Sequence, residues 1–107
     1  MNPTDNKLQL SNRKDARSFV FITKIFLKKF GNVELHALGE ATKTAVRVAE
    51  NLQRSGIMYP KYHLGIVTIT KVNSFTHSIE GRKRVKLVVT LELTAEGKKR
   101  VEADIPN

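Results

Sequence analysis

The clearest periodicity in the chain lies over residues 84–93. There Val85, Leu87, Val89, Leu91 and Leu93 alternate with Arg84, Lys86, Val88, Thr90 and Glu92. A period of two sustained over that length predicts a strand with one apolar face. A shorter alternation sets Val33, Leu35 and Ala37 against Glu34, His36 and Leu38, and it stops at Gly39. Beyond Gly39 the apolar positions are Ala41, Ala45, Val48, Ala49 and Leu52. That spacing is the buried stripe of a helix, here built from small residues that allow close approach. A strand turning at one glycine into an alanine-rich helix is a packing unit, and the other elements must be arranged on it.

The remaining segments can be read in order. Residues 1–6 are polar and predict a flexible tail, and Lys7-Leu8-Gln9-Leu10 alternates as a short first strand. After the polar loop Ser11-Asn12-Arg13-Lys14, Asp15 is a suitable N-cap for a helix over residues 16–30. Its stripe is Ala16, Phe19, Val20, Phe26, Leu27 and Phe30. Phe21, Ile22 and Ile25 fall off that stripe, which predicts either a wide core contact or a subunit interface. Gly31-Asn32 tolerates the left-handed conformation and closes the helix. Ser55-Gly56 is the next stop signal, followed by the aperiodic Ile57-Met58-Tyr59-Pro60-Lys61-Tyr62. Two tyrosines beside a lysine suit base stacking, although loop tyrosines more often pack on their own domain. Leu64 to Val72 is β-branched and predicts a strand, with Asn73 to Lys83 as the tip of a long hairpin containing Gly81. Thr94 to Glu102 reads as one helical turn or a basic tail. The order β-α-β-α-β-β predicts a two-layer α/β sandwich over residues 7–94, with a basic C-terminal extension over 95–107.

Composition narrows the function classes. With 107 residues the chain suits a single core, and its formal charge of +9 favours polyanionic partners. The absence of cysteine excludes a disulfide scaffold, a thiolate metal site and a cysteine nucleophile. No apolar run approaches the roughly 18 residues of a membrane span. The polar N-terminus has no hydrophobic signal region, so a soluble intracellular protein is expected, with no membrane association.

The Val33–Ala37 strand, the His36-Ala37-Leu38-Gly39-Glu40-Ala41-Thr42 turn and the alanine/valine-rich helix ending near Glu50-Asn51-Leu52 together resemble the Alba family of small nucleic-acid-binding proteins. Leu35-His36-Ala37-Leu38-Gly39, in place of an Arg-Gly-Arg turn, looks like the eukaryotic and protist branch. The resemblance extends from Lys7 to about Glu92 and implies a fold similar to the C-terminal domain of bacterial translation initiation factor three. It further implies a dimer, either homotypic or with another Alba-like chain, that binds DNA and RNA in chromatin packaging, gene regulation or transcript binding. Nucleus, cytoplasm or both are the expected compartments. An RNA-scaffold subunit of a ribonuclease P-like ribonucleoprotein is the second reading.

The candidate binding residues fall into three groups. Arg13 and Lys14 precede a helix N-terminus, where free amides, the helix dipole and mobile cations together suit a phosphate; they match the basic pair of the Alba loop that contacts nucleic acid. Lys14 is also open to charge removal by acetylation, which would make a deacetylase a partner. Arg82, Lys83 and Arg84, with Lys86 and Lys71 on the flanking strands and His77 in the loop, form a basic arm. In Alba-like proteins such an arm is thought to reach a groove of the duplex. Lys43 and Arg47, one turn apart on the central helix, partly offset the loss of positive charge at Leu38-Gly39-Glu40. Each group alone would pass for an ordinary solvated surface.

Signals for catalysis are poor. His36, His63 and His77 lack metal-ligand spacing, no serine triad signature is present, and no metal or cofactor is expected. A lysine amine held against an abasic site could form a Schiff base and nick the strand, which leaves an abasic-site lyase or nuclease as the enzymatic alternative.

Overall fold

The computed structural model describes residues 4–53 and 67–105. The elements are β1 (Lys7–Gln9), α1 (Ala16–Phe30), β2 (Asn32–Leu38), α2 (Ala41–Gln53), β3 (Val67–Ile79), β4 (Arg82–Leu93) and α3 (Ala95–Asp104). They form a four-stranded sheet in the order β1-β2-β4-β3, with β1 parallel to β2 and the other pairs antiparallel. This is the expected β-α-β-α-β-β order with one further helix. The stop signal Ser55-Gly56, the Tyr59–Lys61–Tyr62 segment, His63 and the first residues of the 64–72 strand lie outside the described residues.

All three helices lie on one face of the sheet, because each contributes to one core. Val33, Leu35 and Ala37 of β2 and Leu91 of β4 are fully buried beneath Phe19, Phe26 and Leu27 of α1. The α2 stripe of Ala41, Ala45, Val48, Ala49 and Leu52 is buried in full, as its spacing requires. Each large side chain taken out of water there contributes about 1.5–3 kcal/mol. The small residues let α2 sit close to the strands it covers.

Helix ends follow the local chemistry. The Asp15 carboxylate accepts from the Arg17 amide at 2.9 Å, and Gly31 closes α1 with φ +78° while its amide donates to the Leu27 carbonyl. Nearer the N-terminus, the Asn6 carbonyl accepts from the Glu34 amide, and Asp5 accepts from the Lys7 amide.

The segment read as a turn or tail after Leu93 is a ten-residue helix, α3. Thr94 caps it through its hydroxyl, Val101 is fully buried in the core, and Ile105 is buried beside it. Lys24 of α1 bonds Asp104 at 2.9 Å, and Lys28 donates to the Ile105 carbonyl. The low apolar content of residues 95–104 hid this helix, since a single valine carries most of its docking. Its contact gives α1 a second face to cover, and Ile22 packs against the core. Phe21 remains 53% exposed.

The hairpin also differs from expectation. Residues 73–79 are strand, so the tip contracts to Glu80-Gly81, both with positive φ (51° and 76°). Two residues of positive φ are what a tight turn matching strand twist requires. Lys83 and His77, expected in the loop, lie in the ladder opposite Ser78 and Arg84. The register shifts once, between Ile69 and Lys71, where Thr70 is an extra residue in β3.

Candidate nucleic-acid interface

Because β1 and β2 are parallel, the loop before α1 and the turn before α2 emerge at the same end of the sheet. The antiparallel β4 begins there too, with Lys86 paired to Leu38, so the hairpin projects from this end. One end of the molecule therefore gathers two helix N-termini and the basic arm.

The turn before α2 is held by backbone. Gly39 has φ +60°, its amide donates to the Val85 carbonyl at 2.8 Å, and its carbonyl accepts from the Thr42 hydroxyl at 2.8 Å. The positive φ is what demands glycine. A Cβ at Gly39 would meet only Arg84, with Nη1 at 3.5 Å, so this guanidinium lies over the turn.

Between the loop and the first turns of α2 is a hollow of about 420 Å³ lined by Arg13, Lys14, Lys43 and Arg47, together with Asn12, Asp15, Glu40 and Thr44. Two of the three sequence-predicted groups thus meet in one concavity. The carboxylates soften it. Asp15 pairs with Arg17 at 3.1 Å and Glu40 with Lys43 at 3.4 Å, both pairs largely exposed. Exposed pairs of this kind hold little energy and exchange readily for a better anion. The Arg17 amide and guanidinium hold the Asp15 carboxyl below its ordinary value, and Arg47 lends a smaller push in the same direction. Asp15 and Arg47 line the same hollow, so the α2 cation faces the cap of α1.

The hairpin cations divide between two faces. Arg84, Lys86 and Lys71 share the face away from the helices, with Arg82 in phase with them; Lys83 is out of phase and lies on the helix side. Among the described residues none of these five forms an ion pair. Residues 73–79 add Phe75 to the outer face, half exposed and directly opposite Lys86. Sequence reading assigned that stretch to a loop. The spacing of Phe75, His77 and Ile79 among Ser74, Thr76 and Ser78 is the period-two signal that could have found it.

On the helix side Val46 of α2, Val72 and Val85 remain about half exposed, next to the partly buried Leu87. A depression of about 480 Å³ lies there, bounded by Val46, Leu87, Thr42, Glu50 and the same Lys43 and Arg47. No helix among the described residues is long and apolar enough to cross a membrane.

Comparison with known proteins agrees with this fold. No curated protein matches the sequence. The crystal structure of ALBA1 from Trypanosoma brucei is similar at TM-score 0.75 and 22% identity, covering 96% of this chain and 82% of that one. Alba from Thermoplasma volcanium is similar at TM-score 0.60 and 16% identity, covering 81% of this chain and 99% of that one. At such identities the likeness is one of fold. The sequence model of the Alba family matches residues 6–76, more than half of the chain, and runs through the loop, both helix starts and most of β3. On that match the chain belongs to the Alba family, whose members are in general nucleic-acid-binding proteins.

Proposed function

We propose that this protein binds DNA and RNA mainly through their phosphates, with little sequence reading, in chromatin packaging, gene regulation or transcript binding. The observation that carries this reading is the convergence of Arg13, Lys14, Lys43 and Arg47 on one hollow at the end from which the hairpin projects. The positive ends of two helix dipoles and mobile cations suit phosphate oxygens, and phosphate contacts position a duplex without reading its bases. Lys71, Arg82, Lys83, Arg84 and Lys86 extend the same charge along the arm. Lys14 is exposed at the rim, so acetylation there would remove one cation, and a deacetylase would restore it. The nucleus and the cytoplasm both hold the polyanions this surface would take.

The exposed Val46, Val72 and Val85 favour a dimer, formed with a second copy or another Alba-like chain, that doubles the basic surface. A heterotypic pair would serve the scaffold role in a ribonuclease P-like particle; abasic-site nicking by a lysine of the hollow is the enzymatic alternative. Competition between duplex DNA, single strands and structured RNA at one stated salt concentration tests the reading. With about six phosphates neutralised per dimer, log affinity falls against log salt with a slope near −5. A flat response overturns phosphate-dominated binding, and turnover on abasic but not intact duplex identifies an enzyme instead.

A further inference from the structure

The outer face of the sheet has a chemistry that phosphate binding does not use. No helix covers it among the described residues, since all three contribute to the core on the opposite side. Across its middle runs a row of Phe75, Lys86 and Leu38, from β3 through β4 to β2. The next row is Asn73, Val88 and His36, in which Val88 is buried although it lies outside the main core cluster. Phe75 is 50% exposed in the middle of a strand, where burial of an aromatic ring would be the stabilising choice. One cation is its direct neighbour. Lys86 stands directly opposite, Arg84 and Lys71 follow on the same face, and none is ion-paired among the described residues.

A sheet face that no described helix covers, bearing an exposed aromatic ring with a lysine one strand away, suits unpaired bases. Each base offers a π-face to the ring while its phosphate meets the neighbouring ammonium. Cβ atoms of directly opposed residues in an antiparallel pair are about 4.5–5.5 Å apart, within a nucleotide's own span. A duplex cannot use this arrangement, because its bases are stacked on one another. We propose that the outer face around Phe75 is a stacking platform for single-stranded nucleic acid, distinct from the phosphate hollow at the helix starts. The proposal extends the nucleic-acid reading above and rests on it.

The cations make a nucleic acid a better occupant than an apolar partner, which would have to desolvate Lys86 and Arg84. The tyrosine-free described surface and the absence of tryptophan from the chain give a clean probe. In the full-length protein, Phe75→Ala weakens a single-stranded oligouridine roughly ten-fold, as loss of one stacked base does, and leaves a random duplex within about two-fold. Phe75→Tyr keeps a ring and restores single-strand affinity. In Phe75→Trp the new indole fluorescence is quenched by oligouridine and not by duplex. Equal losses on both ligands, or no loss on oligouridine with wild-type melting, overturn the platform. So does a Phe75→Ala variant that changes only the oligomer size by light scattering, since the ring would then be a protein contact. Wild-type protein that binds neither ligand defeats the nucleic-acid reading itself; intact duplex binding with unaltered oligouridine binding in Phe75→Ala defeats the platform alone.

Discussion

Strand β4 passes through two different environments. From Val88 to Leu91 it lies in the body, flanked by β2 and β3, with Val89 and Leu91 beneath the helices. From Arg82 to Val85 its strand partner is β3 alone, with the Gly39 turn touching the boundary, and every residue there is exposed. The first half is held by apolar burial. The second is held by its ladder and a two-residue turn, and its side chains are left over for other work. In the body a residue is chosen by what it packs against, whereas in the arm charge and reach decide. Stability and ligand contact are therefore separable by position along a single strand.

The sharpest way to break this division is by truncation in each half. Leu35→Ala opens the core under α1 and α2 and costs about 3 kcal/mol, while Val85→Ala in the monomer stays within about 0.5 kcal/mol. Urea unfolding measures both, and comparable losses would show that the arm is part of the folding unit. Val85→Ala acts instead on assembly if the exposed valines form a dimer, and its melting temperature then loses its dependence on protein concentration.

Charge offers a second contrast, between hollow and arm. Replacing Arg82, Lys83 and Arg84 together with alanine lowers the salt slope by roughly three units, and Lys14→Gln by roughly one, with melting unchanged in both. Lys14→Arg keeps the charge and stays near wild type if Coulomb attraction alone matters. Unaltered affinity in Lys14→Gln at low salt would place the binding on the arm by itself.

A smaller effect tests the body's own periphery. The hydrogen bond from Lys24 holds the Asp104 carboxyl below its ordinary value of 3.8, against a partial desolvation that raises it, with the Lys24 and Arg100 charges helping. A depressed folded value means the contact stabilises fully above the unfolded carboxylate range. It is lost as pH falls through the lowered value. Asp104→Asn melts below wild type at neutral pH, and the gap closes in acid as the wild-type carboxyl protonates; a gap independent of pH would assign the effect to packing.

Where the body ends and the arm begins also marks how far the chain could be read. The α2 stripe and the β2 alternation were legible because burial on one face leaves a period in the sequence, and so was the Asp15 cap. Helix α3 was not, because Val101 alone of its residues is an apolar side chain buried in the core, too few to make a period. The strand over residues 73–79 was missed for the converse reason: with both faces of the arm in solvent, polar residues can occupy either. The cation groups could be picked out one by one, but the meeting of two of them in one hollow depends on β1 and β2 being parallel. No local pattern encodes that. The split of the arm's charges between two faces depends on register.

A straight count of that register fails at Thr70. Counting straight from the buried Val67 and the partly buried Ile69 would put Lys71, Asn73 and Phe75 under the helices, with Val72 and Ser74 turned outward. The extra residue advances the phase by one, and every position as far as the turn exchanges sides. Deleting Thr70 would let Lys71 follow Ile69 directly opposite Thr90, so the ladder would run without its bulge while the ring and the lysines kept the outer face and the valines the inner one. That one spot in β3 thus absorbs a whole codon without altering what the arm presents to a ligand.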